Sequence, residues 1–118
     1  MASGMSDEAT PRIEETDGYQ FMRLGAGALA IGHRPALRKF KGMRAAGVTH
    51  VATILSEAEQ APLIGAAARA ADLEWVWIDL GSTKNLPAKR KPQIADAIAA
   101  LAAILDQGGR IYLHCSAG

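Results

Sequence analysis

Cys115 is the only cysteine in the 118-residue chain, and it stands between an apolar segment, RIYLHC, and three small residues, Ser116, Ala117 and Gly118. A cysteine is nucleophilic as the thiolate, and a nest of backbone N–H groups, a helix N-terminus or a nearby cation lowers its pKa. Small residues allow a tight turn whose N–H groups point at one spot and bind an anion. Cys115 is therefore a candidate nucleophile beside an anion site, although a role as a small apolar core residue stays open on these residues alone.

Short apolar runs of strand length precede Cys115 and must position it. These runs are YQFMRL, ALAIG, VTHVATIL, LEWVWIDL and RIYLHC, and most of them are continuously apolar rather than alternating. Continuous apolar runs are typical of strands that are covered on both faces of a sheet. We therefore predict a strand at each of these five segments.

Helical patterns lie between the predicted strands, in PALRKFKGMRAAG, SEAEQAPLIGAAARAAD and PQIADAIAALAAILDQGG. The first has an apolar face and a glycine stop. In the second, Ser56 and Glu59 form a capping-box pattern, but Pro62 would fall inside a helix begun there, so the start is placed just before it. In the third, Pro92 stands near the start and Gly108 near the end of a clear apolar stripe.

The alternation of strands and helices predicts βαβ units, and so an α/β fold with a mostly parallel sheet flanked by helices. Binding sites in such sheets collect beyond the carboxyl ends of the strands. Cys115 is placed at the carboxyl end of the last predicted strand. This position favours a functional role for Cys115 over a role in the core.

The segment HCSAG, after its apolar strand, resembles the first five residues of the HCxxGxxR signature of cysteine-dependent protein tyrosine and dual-specificity phosphatases. His114, Cys115 and Gly118 match its fixed positions. The order of the earlier segments is also similar: ALAIGHRP resembles the opening strand, AAGVTHVATIL the next strand, and LEWVWIDL the strand before the general-acid loop. The likeness covers about residues 20–118 and implies a phosphotyrosine-phosphatase-like fold and the hydrolysis of phosphomonoesters.

The resemblance also implies roles for single residues. Cys115 would be the nucleophile that carries a phosphocysteine intermediate, and His114 would orient it through hydrogen bonds. Asp79, after the strand LEWVWI, would be the general acid for the leaving oxygen, with a solvated or capping role as the alternative. The backbone N–H groups that would bind the phosphoryl oxygens are those of Ser116, Ala117 and Gly118. No metal or organic cofactor is implied, and the substrate would be a phosphorylated protein or another phosphomonoester.

The signature's phosphate-binding arginine, which follows the cysteine by six residues in the family, is not among the three residues after Cys115. We therefore expect residues 18–118 to be a partial phosphatase domain that ends inside the phosphate-binding loop and lacks its C-terminal helices. Little activity and an uncovered apolar sheet face would follow. Residues 1–17 are expected to form a disordered tail. A truncated or pseudophosphatase binding module without catalysis is an alternative, and a rhodanese-like sulfurtransferase is a less favoured one.

The basic residues and histidines offer further candidates. One basic cluster consists of Lys84, Lys89, Arg90 and Lys91. A run of charge is usually a solvated face, and we favour that interpretation over attraction of phosphorylated substrates. Arg34 and Arg38 follow a predicted strand and could face the phosphate pocket, but a surface role is favoured. The three histidines and Cys115 show no metal-ligand spacing, so no metal site is predicted.

The composition is that of an ordinary globular domain, with 49% hydrophobic and 21% charged residues. A formal net charge of +1 gives no general attraction to nucleic acid or to an anionic membrane. The N-terminal segment has neither the basic start nor the apolar run of a signal peptide, and the longest apolar stretch is too short to span a bilayer. A cytoplasmic chain with no nucleic-acid or membrane partner is expected, and its oligomeric state is left open.

Overall fold

The computed structural model describes residues 12–56, 59–79 and 91–115. Within these ranges one sheet is formed by β1 (Ile13–Thr16), β2 (Tyr19–Leu24), β3 (Gly27–Gly32), β4 (His50–Ile54), β5 (Glu74–Trp77) and β6 (Arg110–Cys115). The helices described are α1 (Phe40–Ala45), which continues a 3₁₀ turn over Leu37–Lys39, α2 (Ala61–Ala70) and α3 (Lys91–Asp106). Each predicted strand and helix has a counterpart in this set.

The last strand of the described chain, β6, lies inside the sheet rather than at its edge. The strand order is β1-β2-β3-β6-β4-β5. Strands β3, β6, β4 and β5 run parallel, while β1 and β2 extend the sheet as antiparallel neighbours. The predicted α/β fold with a mostly parallel sheet is confirmed. Because β6 inserts between β3 and β4, the carboxyl ends of these two strands flank its own.

A hairpin of β1 and β2 opens the sheet where a tail was predicted. Asp17 and Gly18, the two residues between the strands, have φ angles of 51° and 87°. Positive φ at both positions is the signature of a type I′ turn, for which Asp-Gly is a preferred pair. The prediction of a disordered tail was therefore wrong for Ile13–Thr16, while residues 1–11 lie outside the described residues.

Helix α2 begins after the capping-box residues and not at them. The backbone N–H and the hydroxyl of Ser56 both donate to Glu59 Oε1 at 3.0 Å, which closes a turn ahead of the helix. Pro62 stands in the first turn of α2, where its missing N–H breaks no helical bond. The predicted start near Pro62 is confirmed. Gly65, further along α2, lies so close to the Trp75 ring that a Cβ there would overlap it.

The two faces of the sheet are covered differently. The face under α1 and α2 holds the main core, whose large members include Phe21, Phe40, Met43, Ile64 and Tyr112. Helix α3 packs against β3 and β6. On the face opposite Phe21, paired side chains of the first strands stay open to solvent, with Ile13 66% and Met22 40% exposed. None of the described helices has the length and apolar character needed to cross a membrane.

Candidate active site

Cys115 is the last residue of the central strand β6. It pairs with Ile54 at the end of β4, and the preceding His114 pairs with Gly32 at the end of β3. The cysteine is partly exposed. The carboxyl ends of three parallel strands therefore meet at this residue, which is the edge where α/β sheets bind ligands. The predicted position of Cys115 is confirmed, while its chemical role stays a prediction.

His114 is buried beside the cysteine and belongs to a chain of hydrogen bonds that runs across the sheet. Its Nε2 lies 2.9 Å from Thr53 Oγ1, and the Trp75 indole donates to the same hydroxyl oxygen at 2.9 Å. Both His114 and Thr53 are at most 1% exposed. The three side chains come from the neighbouring strands β6, β4 and β5, so the sheet itself holds them in line.

Counting donors assigns the protons in this chain of hydrogen bonds. The Trp75 indole has no acceptor atom, so its N–H occupies one lone pair of Thr53 Oγ1. Among the described residues, His114 Nε2 is the acceptor within reach of the Thr53 hydroxyl proton. Thr53 therefore donates to Nε2, and the neutral ring carries its proton on Nδ1. This Nδ1 is buried.

Burial lowers the pKa of His114 below its usual value of 6.5, because the imidazolium would lose its hydration inside the protein. A hydrogen bond with the Cys115 backbone raises the pKa of His114, and the positive charge of Arg34 lowers it further. His114 is consequently neutral at pH 7. It can orient neighbouring groups through hydrogen bonds, but it does not supply a positive charge to Cys115.

Arg34 connects the loops on the two sides of β6. It lies two residues beyond β3, and its Nη1 donates to the Glu59 carbonyl oxygen, beyond β4, at 2.9 Å. Because β6 lies between β3 and β4, this contact spans the carboxyl end of β6. Arg34 is exposed, as expected for a surface residue, and its charge also lowers the pKa of His114 in the candidate site. Only the position of Arg34 after a strand signalled this, because the strand order is not evident in the sequence.

Asp79 follows the strand β5 and is exposed. It lines a cleft of about 340 Å³ with Val76, Ile78 and Asp96 of α3. Since β5 is two strands from β6, the two strand ends are about 10 Å apart at the usual spacing. The fold brings Asp79 to the same edge of the sheet as Cys115 but not to the neighbouring strand. Its role as general acid stays a prediction.

Other predicted site residues lie outside the described residues. They are Ser116, Ala117 and Gly118 of the predicted anion nest, and Lys84, Lys89 and Arg90 of the basic cluster. Within residues 12–56, 59–79 and 91–115, no three His, Cys, Asp or Glu side chains are grouped so that they could hold a metal ion. The candidate site described by the structure thus consists of Cys115, His114, Thr53, Trp75 and Arg34.

Solved structures share this fold. Two crystal structures of a protein from Shewanella putrefaciens CN-32, described as "Putative phosphatase (DUF442)", both match with a TM-score of 0.57, at 19% and 18% identity. The matches cover 96% and 95% of this chain and 64% and 66% of those chains. A structure described as "Protein Tyrosine Phosphatase (putative) from Leishmania major" has a TM-score of 0.44 at 16% identity, over 92% of this chain and 70% of that chain.

Comparisons of the sequence alone found no match, in contrast to the comparison of structures. No protein-family model matches the chain, and no curated protein matches it. The chain spans 64% of the length of the first Shewanella structure. At this identity the likeness shows the fold alone, which is a phosphatase-like α/β fold with a mostly parallel sheet.

Proposed function

We propose that the chain belongs to a protein phosphatase of the tyrosine or dual-specificity type, which hydrolyses phosphomonoesters through a phosphocysteine intermediate. The observation that carries this proposal is the position of the only cysteine, at the carboxyl end of the central parallel strand of a phosphatase-like fold. The buried, neutral His114 beside it supports the same function, since a histidine at this position can orient the cysteine through hydrogen bonds.

The reaction has two steps. The Cys115 thiolate attacks phosphorus, the bond from phosphorus to the leaving oxygen breaks, and that oxygen takes the electron pair and a proton from Asp79. A water molecule then attacks phosphorus, gives its proton to Asp79, and releases inorganic phosphate as Cys115 leaves as the thiolate. Backbone N–H groups of residues 116–118 stabilise the charge on the transferred phosphoryl group. No step uses a metal or an organic cofactor.

A single cysteine that must stay reduced fits a reducing compartment, and we place the protein in the cytoplasm. Its substrate is a phosphorylated protein or another phosphomonoester. The phosphoryl group binds beyond the carboxyl ends of β3, β6 and β4, where the partly exposed Cys115 is accessible.

The group that Cys115 takes up tests the proposal. Because the phosphate-binding arginine of the signature is not among the three residues after Cys115, we expect little turnover. Incubated with excess p-nitrophenyl phosphate and quenched in acid, the chain should still gain a phosphoryl group on Cys115 in a small, detectable fraction of molecules and release an equal amount of nitrophenolate, as measured by peptide mass spectrometry and absorbance. Cys115→Ala, the matched control, should do neither. A rhodanese-like sulfurtransferase would instead gain one sulfur atom from thiosulfate. Sulfur uptake without phosphoryl uptake would overturn the proposal, and uptake of neither group would favour a binding module.

A further inference from the structure

Arg34 lies in the loop after β3, beside the carboxyl end of the strand that carries Cys115. Its Nη1 bond to the Glu59 carbonyl oxygen joins loops that follow β3 and β4, which are two strand spacings apart, or about 10 Å. We call this contact the Arg34 bridge. Because Cys115 is the last residue of the strand between them, the bridge brings a permanent positive charge to the edge of the sheet at which Cys115 lies.

A hydrogen bond to the central strand positions the backbone next to Arg34. Tyr112 of β6 donates its hydroxyl proton to the His33 carbonyl oxygen at 2.7 Å, which ties the residue before Arg34 to the central strand. Gly32 allows this approach, because a Cβ there would overlap the Tyr112 hydroxyl. The charge of Arg34 also reaches His114, whose pKa it lowers. Geometry and electrostatics thus agree that the guanidinium lies at the edge of the sheet where β6 ends, close enough to His114 to affect its pKa.

The Arg34 bridge leaves most of the guanidinium available to a ligand. A guanidinium has five N–H donors, and the bond to Glu59 uses one of them. The remaining donors retain the planar fork that binds a carboxylate or a phosphate through two parallel hydrogen bonds. Arg34 is exposed, so an anion from solvent can reach it.

A cleft of about 590 Å³ opens beside Arg34, within the usual size range of a ligand pocket. Tyr112 and Met43, which are 7% and 1% exposed, contribute its apolar floor. Two basic side chains line the cleft, those of Arg34 and Lys39, together with the carboxylate of Asp17. Two cations against one carboxylate favour an anionic occupant, and the buried floor favours one with an apolar stem.

We propose that Arg34 and this cleft bind a second anionic group of the substrate, namely an acidic side chain next to the phosphorylated residue of a peptide. The inference rests on the proposed phosphatase function, which places the phosphoryl group at Cys115. A glutamate or aspartate has the carboxylate that the guanidinium fork fits and the short apolar stem that the cleft admits. Arg34 is then a specificity-determining residue, separate from the backbone N–H groups that hold the phosphoryl group.

Alkylation of Cys115 tests where the charge lies. The Cys115 thiolate attacks the CH₂ carbon of iodoacetate or iodoacetamide and displaces iodide, but only iodoacetate is an anion. The rate constant for iodoacetate divided by that for iodoacetamide should fall about three- to tenfold in Arg34→Gln, as expected for the loss of one nearby positive charge at low salt. Arg38→Gln removes the same charge from the same segment and should leave the ratio unchanged. Arg34→Lys keeps the positive charge and should keep most of this rate ratio. It therefore tests the role of the charge even if Arg34→Gln does not fold.

Peptide binding tests the substrate class. The ligands are N-acetyl-Glu-phosphotyrosine-Glu-amide, its Gln-flanked counterpart, and the two unphosphorylated peptides, titrated against this chain by NMR. The chain and Arg38→Gln should bind the Glu-flanked phosphopeptide about three- to tenfold more tightly than the Gln-flanked one. In Arg34→Gln this preference should disappear.

The outcomes separate the two proposals. Equal affinity for phosphorylated and unphosphorylated peptides would contradict the phosphatase function, and the inference on Arg34 would fall with it. Phosphate-dependent binding with the same Glu preference in Arg34→Gln and Arg38→Gln would overturn the inference on Arg34 alone. An unchanged iodoacetate ratio in Arg34→Gln would equally overturn it.

Discussion

Thr53 connects two nitrogen-bearing side chains in the protein interior. Its hydroxyl accepts from Trp75 and donates to His114 Nε2, and this second bond selects the tautomer with the proton on Nδ1. Under the proposed function, Thr53 would be a positioning residue that acts on Cys115 through His114, without touching substrate. The hydroxyl, rather than the volume of the side chain, is what the arrangement needs.

Thr53→Val keeps the volume and removes the hydroxyl. We expect a loss of about 1–3 kcal/mol in the free energy of unfolding, because two buried polar groups lose their partner. The ¹⁵N NMR spectrum of His114 should also change from one tautomer to a mixture. Thr53→Ser is the matched control and should restore the single tautomer. A single Nδ1–H tautomer in Thr53→Val would contradict the assignment.

His114 also makes the free energy of unfolding depend on pH. Its folded pKa is below 6.5, so the unfolded chain takes up the proton first as the pH falls. The contribution of His114 is therefore fully present above pH 6.5 and is lost as the pH falls from 6.5 through the lowered folded pKa. His50 acts in the same direction, because burial lowers its pKa more than Glu74 raises it.

Urea denaturation above and below pH 6.5 measures this effect. The free energy of unfolding should fall toward acid pH in the original chain and fall less in His114→Gln. The double variant with His50→Gln should be flatter still. If both variants keep the full pH dependence, the loss of stability in acid arises from carboxylates and not from these histidines.

At the scale of elements, two glycines occupy opposite environments. Gly65 in α2 faces the Trp75 ring, with no room for a methyl group, whereas nothing lies within 4 Å of a Cβ built on Gly42 in α1. The contact at Gly65 sets how closely α2 approaches β5. Gly42 makes no such contact and leaves its short helix with an unnecessary loss of backbone entropy on folding.

Alanine at these two positions should have effects of opposite sign. Gly65→Ala should lower the free energy of unfolding by about 1–3 kcal/mol, since the ring must move away from its strand. Gly42→Ala should raise it by about 0.4–1 kcal/mol, because it reduces the entropy of the unfolded chain without a clash. Thermal and urea denaturation measure both changes. A stabilising Gly65→Ala would mean that α2 and β5 are not packed through this contact.

The positions of the helices and of five strands could be predicted from local patterns, because apolar runs and Pro or Gly stops depend on neighbouring residues. Strand β1 was missed, although the Asp17-Gly18 pair was a readable hairpin signal. Its short sequence, IEET, is mostly polar because the strand lies at the sheet edge and is partly exposed. Composition therefore concealed a strand that the turn residues could have revealed.

At the scale of the whole molecule, one sheet face combines apolar side chains with exposure. Ile13 pairs with Met22, Met22 with Leu29, and Ile31 lies two residues further along the same face of β3. Ile31 is 72% exposed. Ile111 of β6, the strand on the other side of β3 from β2, also pairs with Leu29 but is fully buried. Contiguous exposed apolar side chains of this kind favour association between molecules.

Ile31→Thr should raise the protein concentration at which light scattering begins, with little change in Tm, because an exposed side chain loses little packing. Ile111→Thr is the matched substitution at a buried position and should lower the free energy of unfolding by about 1–3 kcal/mol. An equal loss of Tm in the two variants would show that Ile31 is covered in solution.

The sequence by itself determined the fold class, the strand that ends in Cys115, and the identity of the candidate nucleophile, because these follow from local apolar patterns and from one short motif. The tertiary structure decided which side chains lie near the end of the strand that carries this cysteine. Thr53 and Arg34 lie 62 and 81 residues before Cys115 in the chain. Because β6 inserts between β3 and β4, Thr53 hydrogen-bonds to the neighbouring His114, and the charge of Arg34 lowers the pKa of His114. Strand order depends on packing between distant segments, and a single sequence does not record it.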